Sequence, residues 1–133
     1  MTFVKMFDFR RLGDDRGSLV AIEANNNTPF PIQRVYYIYG SESNVARGFH
    51  AHKVLQQLAV CVAGKCTMLL NDGNTKVEVV MNSPTKGILI EPMVWHEMHN
   101  FSPDCVLLVL ASEHYDESDY IRDYEEFLKQ VNQ

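Results

Sequence analysis

Short apolar runs alternate along this chain with clusters of Gly, Pro, Asn, Asp and Ser. Residues 18–23 form one such run after Gly17. Residues 33–39 are rich in β-branched and aromatic side chains, which suit a pleated, half-buried surface. A short segment at 49–53 is followed by a longer apolar run at 55–62. Ala63-Gly64-Lys65 predicts a hairpin turn into a strand at 66–70. Asn71-Asp72-Gly73-Asn74 predicts a second tight turn, because Asn and Gly tolerate the left-handed backbone such turns require. Its returning strand is placed at 76–81. Residues 82–87, with Pro84 and Gly87, read as a connection. Further strands are placed at 88–90, 96–100 and 105–111. Short strands at close spacing predict an all-β fold, a sandwich or a small barrel.

The period changes at the C-terminus. Tyr120, Ile121, Tyr124, Phe127 and Leu128 fall on one stripe of an amphipathic helix. Asp116, Glu117, Ser118 and Asp119 supply acidic and capping groups for its start. At the other end, Phe3, Val4, Phe7 and Phe9 can complete a neighbour's sheet or pack on their own subunit.

At 133 residues the chain is read as a single domain spanning 1–133, large enough to bury a core. Its net charge of −5 gives no sign of a nucleic-acid surface. It has no apolar run long enough to predict a membrane span, and its first residues lack the pattern of a signal peptide. Cys61, Cys66 and Cys105 form no CxxC pair and sit in apolar surroundings. They read as reduced core thiols, and with them the chain reads as cytoplasmic.

The chemistry concentrates in Arg47-Gly48-Phe49-His50-Ala51-His52-Lys53. Residues two apart on a strand share a face, so His50 and His52 aim two imidazoles into one space. Imidazole is suited both to proton transfer near neutral pH and to metal ligation. The spacing of His50, His52, Gln57 and Gly64 resembles the first cupin motif, and Pro92, His96 and Asn100 resemble the second. The resemblance implies a cupin jelly roll with an internal pocket. A metal-binding cupin has a carboxylate where this chain has Gln57. A neutral amide neutralises no charge on a hard cation, although its carbonyl can still coordinate. A metal held by His50, His52, Gln57 and His96 therefore stays open beside metal-free proton transfer.

A longer series of motifs narrows the reading. Asp15-Arg16-Gly17-Ser18-Leu19 is followed by Pro31-Ile32-Gln33-Arg34-Val35-Tyr36-Tyr37-Ile38-Tyr39 and by the two-histidine segment. Glu91-Pro92-Met93-Val94-Trp95-His96-Glu97-Met98 and residues 115–124 complete it. This series resembles the sugar 3,4-ketoisomerase family of cupins, over residues 7–128.

The resemblance implies an enzyme that moves the carbonyl of a dTDP-linked 4-keto-6-deoxyglucose from C4 to C3, without metal or other cofactor. It implies His50 and His52 as the catalytic pair; within it, His50 is assigned as C3 base and His52 as donor toward C4. It also implies a homodimer and a place in the synthesis of 3-amino-3,6-dideoxy sugars. A phenol suits stabilisation of an enediolate, and Tyr37 is assigned there. Tyr36 and Tyr37 face opposite sides of a regular strand, so only one can line the pocket. Arg47, Arg16 and Arg34 are assigned to the diphosphate, which guanidinium binds in bidentate fashion. Trp95, His96 and Gln57 complete the expected substrate contacts. A non-catalytic sugar-nucleotide binding module is the remaining alternative.

Overall fold

The structure is a computed structural model in which residues 3–133 are described. It has two five-stranded antiparallel sheets packed face to face. In chain order the strands are β1 (Lys5–Asp8), β2 (Leu12–Asp14), β3 (Gly17–Leu19), β4 (Arg34–Tyr39), β5 (Arg47–His52) and β6 (Gln57–Ala63). Then come β7 (Cys66–Asn71), β8 (Lys76–Met81), β9 (Lys86–Ile90), β10 (Trp95–His99), β11 (Val106–Ala111) and β12 (Tyr120–Ile121). Helix α1 (Tyr124–Val131) closes the chain. One sheet runs β1-β9-β6-β11-β4 and the other β12-β5-β10-β7-β8, with β2 and β3 as a separate hairpin.

Strand alternation builds three apolar layers. Inward residues of both sheets, among them Ala59, Met68, Leu70, Ile88 and Leu107, make the core between them. Leu58 and Val60 point the other way from β6, where Phe9, Phe30 and Leu89 meet them. Strand β6 is thus covered on both faces, which is why its sequence reads as a continuous apolar run. On the outside of the second sheet, Ala51, Trp95 and Ile121 pack under Phe127 of α1.

Two expectations are corrected, for residues 18–23 and for the helix start, and the N-terminal strand pairs within this chain. The run at 18–23 is strand only through Leu19, within the β2–β3 hairpin. Strand β1, at the sheet edge, pairs with β9 of its own chain, and Phe3, Val4, Phe7 and Phe9 pack within that chain. The C-terminal helix begins at Tyr124, not near Tyr120. Glu117–Asp119 form a 3₁₀ turn capped by the Asp116 side chain, and Tyr120 and Ile121 add a strand beside β5. Ile121 turns toward the helix, while Tyr120 meets the His50 and His52 rings.

Candidate active site

Strand β5 carries two of the three histidines that converge between the sheets. Its path is irregular at Gly48 (φ 94°) and Phe49 (φ 63°), where a bulge against β10 leaves Phe49 unpaired. A Cβ on Gly48 would stand 2.9 Å from the His96 carbonyl oxygen, so only glycine fits there. Past the bulge, His50 lies opposite His96 in the ladder. The ring centroids are 5.0 Å apart for His50–His52, 4.4 Å for His50–His96 and 6.0 Å for His52–His96. One ring nitrogen from each lies within 4.8 Å of the others.

Burial sets the charge of this cluster. Desolvation lowers the pKa of His50 below its ordinary value. Desolvation, then the neighbouring His50, brings His52 down to about 4. His96 is also held well below its ordinary value, by burial first and by His50 and His52 next. The three rings are therefore neutral near pH 7, and each offers an unshared pair.

Asp119 gives His52 a distinct position. Its carboxylate lies 3.2 Å from His52 Nδ1 and accepts the Val54 and Leu55 backbone N–H groups at 2.9 and 3.2 Å. A carboxylate can only accept, so neutral His52 carries its proton on Nδ1. Its Nε2 is then the unprotonated nitrogen, and it is buried with no partner among the described residues. Asp119 also counters desolvation whenever His52 takes a second proton. Tyr120 lies against both rings, 4.9 Å from His50 and 4.3 Å from His52. Arg122 stacks 4.1 Å from the Tyr120 ring and is held by Glu117.

Two adjoining cavities, about 520 and 370 Å³, flank the histidines and share Arg34 and Tyr120. The larger reaches His52 and Asp119; the smaller reaches His50 and Arg47.

The family model described as FdtA: WxcM-like, C-terminal matches residues 2–132. A TDP-4-oxo-6-deoxy-α-D-glucose-3,4-oxoisomerase from Aneurinibacillus thermoaerophilus is 54% identical over 127 residues, covering 96% of this chain and 91% of the relative. The chain belongs to the sugar 3,4-ketoisomerase family. Its fold matches the crystal structure of a 3,4-ketoisomerase from Helicobacter canadensis over the whole of both chains, with a TM-score of 0.96 and 44% identity. It also matches a mutant of the 3,4-ketoisomerase QdtA from Thermoanaerobacterium thermosaccharolyticum in complex with TDP-4-keto-6-deoxyglucose. That match has a TM-score of 0.97 and 39% identity, over 99% of this chain and 96% of the other.

Against this ketoisomerase framework, the expected residues separate into two groups. His50, His52 and His96 share the interior, and Arg34 and Arg47 line the cavities beside them. Gln57 is buried, its Nε2 donating to the Tyr36 hydroxyl at 2.5 Å. The other group lies elsewhere in the fold or at the periphery. Tyr37 is 61% exposed on the outer face of β4, although it is among the residues lining the smaller cavity. The interior phenol is Tyr36, whose pKa burial pushes up to about 12. Trp95 is core: it packs on Tyr124 and Phe127 and donates Nε1–H to Glu97. Arg16 lies on the β2–β3 turn in an ion pair with Asp14, outside both cavities.

Asp119 and Tyr120 carry no role in the sequence reading beyond a helix start and a helix stripe. The signal that finds them is the odd pair Tyr120–Ile121, whose neighbours face opposite sides as in a strand.

Proposed function

We propose that this ketoisomerase converts TDP-4-keto-6-deoxyglucose to the TDP-linked 3-keto-6-deoxyhexose by proton transfer through an enediol. The observation that carries the reading is the convergence of three imidazoles, His52 and His96 buried and His50 half-buried, with Asp119 behind one of them. A C4 ketone acidifies the proton at C3. His50, which has no carboxylate partner, takes that proton. His52, whose charged form Asp119 stabilises, takes the O3 hydroxyl proton on its free Nε2 and delivers it to C4. His50 returns the C3 proton to O4, so both imidazoles end neutral. Well-placed acid–base groups each contribute about 10²–10⁴-fold. The carbonyl moves one carbon with no net oxidation or reduction.

Arg34 and Arg47 supply the cationic side of the cavities for the diphosphate. Arg34 Nε is buried without a partner among the described residues, which favours an anion there. Tyr36 stands as the phenol of the pocket in place of Tyr37. We assign the protein to the cytoplasm as a single-domain homodimer. The exposed row Val35, Tyr37 and Tyr39 on β4 supports an apolar contact between copies. The product, a 3-ketone, is what an aminotransferase needs to make a 3-amino sugar.

Proton NMR of the enzyme with TDP-4-keto-6-deoxyglucose in D₂O, with chelator present, tests the chemistry. Deuterium should enter C4 as the 3-ketone appears, and His50→Asn should bind substrate without turning it over. An unchanged substrate with folded protein that binds it would refute the reading.

A second reading rests on the same trio. Three neutral imidazole nitrogens within ligating reach of one another fit a divalent cation. His50, His52 and His96 would hold it, and a bound cation would stabilise an enediolate as a Lewis acid. Loss of turnover on chelation, restored by one added metal, would select this reading over the first.

A further inference from the structure

A second cluster of ligating side chains lies away from the histidines. Cys61 near the end of β6, Cys66 at the start of β7 and Cys105 just before β11 bring their Sγ atoms within 4.8 Å of one another. Cys61 and Cys105 are 3.7 Å apart, and all three thiols are free and buried. Cys61 follows Gln57 by four residues along β6, roughly 13 Å at strand rise. The cluster is therefore separate from the substrate cavities. Two of its members flank the Ala63-Gly64-Lys65 hairpin, whose Ala63 and Lys65 are exposed.

We infer that Cys61, Cys66 and Cys105 form a three-thiol site for a trivalent, thiophilic centre of the arsenite class. The first argument is geometric. Three sulfurs around one centre at about 2.3 Å, the bond length of a thiolate on zinc, would stand about 4 Å apart. The observed spacings need shifts of less than about 1 Å to meet that, well within side-chain rotation.

The second argument is charge. Three thiolates around a monovalent or divalent ion leave a net negative charge in an apolar core, which is costly. Around trivalent arsenic the complex is neutral. The reaction is a condensation: As(OH)₃ exchanges three As–O bonds for three As–S bonds, and each thiol proton leaves with a hydroxyl as water. Arsenic stays trivalent and no oxidant is needed. Neutral thiols are the reactants, and burial keeps two of them neutral, pushing Cys61 up to about 12 and Cys66 higher still.

Native mass spectrometry of the folded, reduced chain incubated with sodium arsenite tests the site. The expected product gains one arsenic and loses three hydrogens. Thiols titrated after the arsenical is bound and the chain unfolded without reductant should fall from three toward zero. Cys61→Ser, Cys66→Ser and Cys105→Ser should each weaken binding by about tenfold or more, since each removes one of three bonds. Corresponding Cys→Ala variants serve wherever a Ser variant does not fold. A native chain that stays unmodified while the urea-unfolded chain takes up arsenic overturns the inference. So does a folded single-cysteine variant that binds as tightly as the parent.

Discussion

Replacing Asp119 by Asn separates a catalytic contribution from a structural one. The carboxylate accepts three contacts: His52 Nδ1 at 3.2 Å, Val54 N–H at 2.9 Å and Leu55 N–H at 3.2 Å. Asparagine keeps the size and one acceptor oxygen. If that oxygen stays on Val54, the new amide NH₂ faces Leu55 N–H and His52 Nδ1. Two donors then oppose each other unless His52 moves its proton to Nε2. The tautomer that the wild type holds is thereby disfavoured, and the charged form of His52 loses its counter-charge. Losing a hydrogen bond to a charged group costs about 1.5–3 kcal/mol. For a chain of this length that lowers Tm by roughly 5 °C or more. The effect on turnover is larger: kcat should fall about 10²-fold, within the range for a displaced acid–base group. KM should change by less than about threefold, because binding rests on other residues. Steady-state kinetics on TDP-4-keto-6-deoxyglucose and circular dichroism melting read the two effects. A variant with lowered Tm and a kcat within about threefold of the parent would show that Asp119 only ties down residues 52–55.

Three other outcomes are expected. Gly48→Ala places a Cβ against the His96 carbonyl on a backbone with positive φ; it should cost about 1–3 kcal/mol in urea unfolding, and an unchanged midpoint would refute the close-contact argument. Trp95→Phe removes the Glu97 hydrogen bond and some core volume, so stability should fall by about 1–2 kcal/mol with KM unchanged; a tenfold rise in KM would return Trp95 to the binding surface. The histidine trio should make the fold acid-labile. Its folded pKa values lie below the unfolded value near 6.5, so the unfolded chain takes up protons first. This contribution is fully present above pH 6.5 and lost as pH falls toward 4. A Tm that stays level between pH 7 and pH 5 would contradict the burial argument.

What was readable in the chain is what local periodicity controls. His50 and His52 share a face because the strand repeat is two, whatever lies around them. The hairpin at Asn71–Asn74 follows from turn chemistry alone, and β7 and β8 pair across it as expected. The Tyr36–Tyr37 choice was framed correctly by alternation, but its sign depends on which face of β4 meets the core. That face is set by β11, whose Val109 pairs with Tyr36 across the sheet. Trp95 shows the same limit. Its neighbour His96 faces the interior between the sheets, so Trp95 must face the opposite side, and whether that side is solvent or core depends on α1 arriving to cover it.

Asp119 lay beyond any local reading. It reaches His52 across 67 positions only because Tyr120 and Ile121 add to β5 instead of starting the helix. The stripe 120, 121, 124, 127, 128 satisfies a helix, but the true apolar face is Tyr124, Phe127, Leu128 and Val131. Ile121 joins that layer from a strand, and its alternation with Tyr120 delivers an aromatic ring to both histidines. One two-residue strand thus seals the core under α1 and completes the site. A substitution that lets the helix extend back through Ile121 would therefore remove Tyr120 and Asp119 from the site together.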